Sequence, residues 1–280
     1  MKWKGRTGSS NVQDRRGMSP SKGMVGGGIG TIILFLVIAL LGGDPTALIN
    51  NSSYINPAPS QYVESEEEND LAEFSSVVLA ETETVWADLF EKEGLRYEYP
   101  TLVLYNDSVQ SACGAATSTT GPFYCPGDTS VYIDLSFYKE LKQNFKAPGD
   151  FAFAYVIAHE VGHHVQNQLG ITKQVMDLRG KLSEKEFNQY MVRLELQADY
   201  LAGVWAHYVE RANLLEKGDI QEALNAASAV GDDRIQSEAW GYVVPDKFTH
   251  GTSEQRSEWF NKGFVSGNIK DGDTFSAKDL

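Results

Sequence analysis

Apolar residues recur at helical spacing from Phe74, Val77 and Val78 through Val85 to Leu89, and Gly94 supplies a stop, so the pattern predicts a first helix there. Pro100 introduces a short apolar strand, Leu102 to Tyr105, and a second strand is predicted from Val131 to Leu135. Between them the segment 107–128, rich in Ser, Thr, Gly and Pro, reads as a loop. Asp150 suits the N-cap of a helix over 151–169, closed by Gly170. Ser183 with Glu186 forms a capping box that opens a long helix running to about Asn213. Asp219 opens another helix ending at Gly231, and Thr252 with Gln255 caps a last one ending near Gly267. Helices dominate and strands are few, so the pattern predicts an α+β domain, mostly helical with a small β-sheet.

Ahead of these elements lies the longest apolar run. Residues 23–43 carry no charge between Lys22 and Asp44, and the run is strongest from Ile29 to Leu41. At about 1.5 Å rise per residue a helix of that length crosses the roughly 30 Å hydrocarbon core. The preceding segment, 1–22, holds six basic residues against Asp14 alone. That segment is long for a cleaved signal peptide, and no small-x-small pattern precedes Asp44, so the expectation is one uncleaved N-terminal transmembrane helix. The positive-inside rule then puts 1–22 in the cytoplasm and the body outside, periplasmic or at the cell surface. Residues 44–70, with Pro45, Pro57, Pro59 and the acidic run from Glu64 to Asp70, read as a tether, and 71–280 as the functional domain.

Composition narrows the function classes. The 280 residues carry a net charge of −14, which disfavours a phosphate backbone as partner, so no nucleic-acid role is expected. A hydrophobic content of 42% excludes a wholly disordered chain. Two cysteines are too few for a four-cysteine zinc module; Cys113 and Cys125 are expected to pair outside the cytoplasm, closing a short loop that stabilises by about 3 kcal/mol in the chain-entropy model.

The chemistry lies in FAYVIAHEVGHHVQNQLG, where His159, Glu160 and His163 form HExxH on a predicted helix. Positions i and i+4 project from one face, so both imidazoles can grip one cation, while Glu160 is placed to take a proton from water. Gly162 permits close approach of another element at the metal. Zinc in a hydrolase needs a third protein ligand and one open position. His164 points about 100° away around the helix and is a poor partner. Glu195, in LELQADYLAG on the next long helix, is the leading candidate for third ligand, with Asp199 and His207 as alternatives. Asp199, one turn after Glu195, would suit the role of orienting a ligating imidazole through its far nitrogen.

HEVGHH followed by ELQAD resembles the gluzincin pattern HExxH…ExxxD. The chain also resembles a bacterial family of single-pass membrane proteins described as neutral zinc metallopeptidases. The stretches that carry the likeness are MKWKGRTGSSNVQDRRG, ACG…TGPFYCPGDTSVYIDLSFY, AHEVGHHVQ, LELQADYLAG and PDKFTHGTSEQRSEWFNKGF. The resemblance implies a zincin-like fold binding one Zn2+, with His159, His163 and Glu195 as ligands and Glu160 as catalytic residue.

Together these readings point to a membrane-anchored extracytoplasmic peptidase hydrolysing peptide or protein substrates. His250 in FTHGTSEQR is the candidate oxyanion donor, braced by Arg256; His207 belongs to core or surface rather than to catalysis. The strand 131–135 is the candidate edge for an extended substrate, with Tyr132 near the cleft. Two alternatives share the motif: a non-catalytic interaction module braced by zinc with Asp199 also bound, and a zinc amidase acting on cell-wall peptides.

Overall fold

The computed structural model describes residues 1–18, 62 and 64–280. The expected membrane anchor, 23–43, and nearly all of the tether lie outside the described residues. Among the described residues no helix is long and apolar enough to cross a membrane.

The first helix, α1 (Glu66–Lys92), starts earlier than the apolar pattern indicated. Ser65 caps it, with the Glu68 amide donating to Ser65 Oγ and the Ser65 amide to Glu68 Oε2. The acidic run read as tether is thus a helical first turn, where carboxylates meet the positive end of the helix dipole. The domain accordingly begins before residue 71.

Four strands form the main sheet in the order β1-β2-β6-β5: β1 (Val12–Asp14), β2 (Thr101–Tyr105), β6 (Ser130–Asp134) and β5 (Phe123–Cys125). The first three run parallel, with Val12 opposite Leu102 and Leu102 opposite Val131, and β5 runs antiparallel to β6. The expected substrate edge, 131–135, is therefore corrected: β6 has a neighbour on each side, and the edges are β1 and β5. The predicted loop 107–128 is also corrected, because it contains β5 and an antiparallel hairpin, β3 (Ser108–Ser111) with β4 (Gly114–Thr117). Its Ser/Thr/Gly content hid an alternation that buries Val109 and Ala116. Cys113 and Cys125 are joined as a disulfide tying this hairpin to β5.

Residues 1–18 are part of the body. Trp3 stands edge-on to Phe74 of α1, Ser9 and Ser76 exchange hydrogen bonds, and Arg6 pairs with Glu81. Of their basic residues, Lys4 and Arg6 pair with Asp70 and Glu81 of α1, while Arg16 pairs with Asp14.

Helices cover one face of the sheet. α2 (Phe137–Gln143) leads into α3 (Asp150–Gln168), which packs against α1, β5, β6, α5 (Glu184–Arg211) and α6 (Asp219–Ala229). Between Phe151 and Gln166 only His163 escapes full burial, which explains why α3 is apolar nearly all round. The short α4 (Ile171–Met176) links α3 to α5, and α7 (Asp232–Trp240) precedes α8 (Ser253–Ser266). α5 and α8 meet backbone to backbone: a Cβ on Gly203 would lie 2.0 Å from the Phe260 carbonyl oxygen, and one on Gly263 1.9 Å from that of Tyr200. Gly162 plays the same part between α3 and α5, where a Cβ would stand 2.9 Å from the Ala198 carbonyl oxygen.

Because neither backbone at the α5–α8 crossing can yield locally, Gly203→Ala is expected to cost about 1–3 kcal/mol. A urea unfolding midpoint equal to that of the parent chain would contradict this packing.

Candidate metal centre

The crossing of α3 and α5 brings three of the expected ligands together. His159 Nε2 lies 3.2 Å from Glu195 Oε2, and His163 Nε2 lies 3.4 Å from the same oxygen. Zinc bonds of about 2.0–2.1 Å at tetrahedral angles place neighbouring donors roughly 3.4 Å apart, so the two imidazoles and the carboxylate are spaced to hold one such ion. The donor set, two nitrogens and one oxygen, also suits zinc. Glu160 follows His159 on the same turn and is buried; among the described residues its carboxylate has no hydrogen-bond partner. A second carboxylate group, Asp150, Asp219 and Glu222, gathers at the start of α3, but the Met1 ammonium stands 3.1 Å from both Asp150 and Asp219.

The far side of His159 is fixed by a charged network. His159 Nδ1 is 2.8 Å from Asp199 Oδ1, which also accepts from the Tyr155 hydroxyl at 2.5 Å. Arg256 donates through Nε to Asp199 Oδ2 at 2.8 Å and through Nη2 to Oδ1 at 3.0 Å. Asp199 thus stands against the far nitrogen of His159, between α3 and α8. Arg256 does not brace His250 as expected; α8 packs on α5 and delivers the guanidinium to Asp199 instead. Burial alone would raise the Asp199 carboxyl, but Arg256 and His159 outweigh it and hold the group at about 2. Burial also opposes charge on His159, yet Asp199 and Glu195 hold its imidazolium up to about 10. Glu195 is buried too and is pulled well below its ordinary range by His163 and His159. The buried anions therefore demand positive charge at this point, and a dication binding here displaces protons.

His250 reaches the same region from the turn before α8, with its side chain 30% exposed. Its Nδ1 lies 3.2 Å from Asp232 Oδ1, while Asp232 Oδ2 accepts the backbone amides of Thr249, His250 and Gly251. Burial disfavours the His250 cation, and the Asp232 carboxylate outweighs this and raises it.

Other expectations resolve differently. His207 Nδ1 bonds the Phe264 carbonyl and stands outside the His159–His163–Glu195 group, so it is no third ligand. His164 turns away, as its helical position required, and joins α3 to the Tyr124 hydroxyl and the Glu98 carbonyl. Tyr132 does not line the cleft: it stacks on Phe123 on the sheet face beneath the β3–β4 hairpin. Sequence reasoning missed Tyr155, Gln166 and Asp232. The first two were within reach, one turn before His159 and one turn after His163 on their helix; Asp232 carried no signal, since it meets His250 only through the fold.

A family described as "putative neutral zinc metallopeptidase" matches residues 1–275. The chain belongs to this family. The match includes residues 1–18, which the fold makes part of the body. The uncharacterized protein YpfJ of Escherichia coli K12 is 48% identical over 98% of the chain and 99% of its own length. The uncharacterized proteins Mb2605 of Mycobacterium bovis and Rv2575 of Mycobacterium tuberculosis H37Rv are each 43% identical over 66% of the chain and 65% of their own length. No solved structure matches the chain.

The distances rank the two carboxylates. Glu195→Gln, which alters a donor oxygen, is expected to weaken zinc binding more than Asp199→Asn, which alters only the support of His159 and costs about 10–100-fold. Competition against a graded series of chelators reads the order; the reverse order would exchange the two roles.

Proposed function

We propose that the protein is a membrane-attached zinc peptidase that hydrolyses peptide bonds of extended peptide or protein substrates. The observation that carries this reading is the placement of His159, His163 and Glu195 around one point, with Glu160 on the same turn. Asp199 is already engaged by His159, Tyr155 and Arg256, which supports a centre of three protein donors with one position open rather than a closed structural brace.

Zinc bound there supplies Lewis acidity, polarising the scissile carbonyl and lowering the pKa of water towards about 7. Glu160 then accepts a proton from the attacking water and returns it to the departing amine. His250, held at Nδ1 by Asp232, directs its other ring nitrogen to the developing oxyanion as donor. Asp199 keeps the His159 Nδ1 proton in place, leaving Nε2 as the donor atom. The edge strand β5, joined to α3 through Tyr124 and His164, offers unpaired backbone for an extended substrate.

The uncharged run 23–43 supports attachment to a membrane, and the Cys113–Cys125 bond supports an oxidising compartment for the body. The reading is tested with the full chain in detergent. Glu160→Gln is expected to keep its zinc while turnover of a casein or peptide-library substrate falls by about 10²–10⁴. His250→Ala should lower kcat by roughly 10²–10³ with little change in zinc content. Undiminished hydrolysis by Glu160→Gln would sink the proposal.

A further inference from the structure

The two histidines of the centre are supported differently. His159 Nδ1 faces a carboxylate, whereas His163 Nδ1 lies 2.9 Å from the side-chain oxygen of Gln166, a residue with no solvent exposure. The way round of that amide is set by a third group. Gln166 Nε2 is 2.7 Å from the carbonyl oxygen of Leu194, which can only accept. Gln166 Nε2 must therefore donate, and Gln166 Oε1 is left to accept. His163 Nδ1 must then carry its proton, so neutral His163 presents a bare Nε2 towards Glu195. The same logic extends one step outward. Gln197 Oε1 accepts from Gln166 Nε2 at 3.1 Å, and Gln197 Nε2 donates to the Gly272 carbonyl at 2.9 Å.

We propose that Gln166 is a positioning residue for the metal centre, choosing the donor nitrogen of His163, with Gln197 and the Gly272 carbonyl of the C-terminal segment holding Gln166 in place. This rests on the zinc reading above. The test uses the zinc-loaded full chain in detergent, with chelator competition for affinity and the ring N–H resonances of 15N-labelled histidines for the tautomer. Gln166→Met, close in volume but unable to accept, is expected to bind zinc about 10–100-fold more weakly. It should also lose the protected His163 Nδ1–H signal while that of His159 persists. Gln166→Glu, which restores an acceptor, should recover the signal and part of the affinity. Wild-type affinity in Gln166→Met, or equal loss of both histidine signals, would overturn the proposal. A parent chain that takes up no zinc would overturn the zinc reading itself.

The N-terminal segment carries a second, independent inference. Strand β1 is paired with β2 through Val12, Gln13 and Asp14, and the Ser9 amide donates to the Ser76 carbonyl. A Cβ on Gly8 would fall on Ser76 Oγ, and one on Gly17 2.5 Å from the Tyr62 ring, so the segment is closely fitted on either side of β1. Groups that share a β-ladder share a compartment, whether the strand comes from the same chain or from a second copy. We infer that residues 1–18 and the metal-bearing body face the same side of any membrane that 23–43 enters. Ser10 and Lys278 are exposed and suit single-cysteine labelling of the full-length protein. With a membrane-impermeant maleimide on intact cells, Ser10→Cys and Lys278→Cys should label together or both be protected until the cells are broken. Labelling of one without the other would overturn the inference.

Discussion

One buried carboxylate organises this molecule. Asp199, with no solvent exposure, receives His159 and Tyr155 from α3 and Arg256 from α8 while belonging to α5 itself. A carboxylate at that depth costs several kcal/mol unless it is paired and hydrogen-bonded. Its four polar contacts can be met only when three helices stand in one arrangement, so satisfying Asp199 fixes their relative positions. The close backbone contacts at Gly162, Gly203 and Gly263 bring the helices near enough for this. The ligand geometry is thus a consequence of helix packing, and the packing in turn answers to one charge.

The electrostatics of the centre follow from the same arrangement. Arg256 offsets Asp199, leaving Glu195 and Glu160 in a buried setting beside two imidazoles that ordinarily carry little charge. The carboxylates raise both imidazoles above their ordinary range against the opposing effect of burial. A metal ion and protons are therefore rival answers to one electrostatic demand, and the surrounding apolar wall of α3 and α5 makes that demand strong.

What was legible in the sequence was local. HExxH, the Glu195–Asp199 spacing and the capping boxes of Ser183 and Thr252 each lie within one or two helical turns, where period and chemistry act together. Tyr155 and Gln166 sit on the same helix and could have been found by extending that periodicity one turn each way. The unreadable parts are those in which distant segments meet. β1 is three residues long and gains its meaning only from β2, nearly ninety residues later. The β3–β4 hairpin is polar because one face meets water, so its composition resembled a loop. Arg256 went to Asp199 rather than His250 because α8 lies on α5, which no spacing within the last helix could announce.

The reliance of Asp199 on Arg256 also sets an order of events in time. Arg256 follows Asp199 by 57 residues along the chain. At roughly 5–20 residues per second of synthesis, several seconds separate the appearance of Asp199 from that of its guanidinium partner. The HExxH helix is thus made well before the ion pair that steadies its first histidine. The centre reaches its full order only after α8 has docked on α5 and brought Arg256 to Asp199.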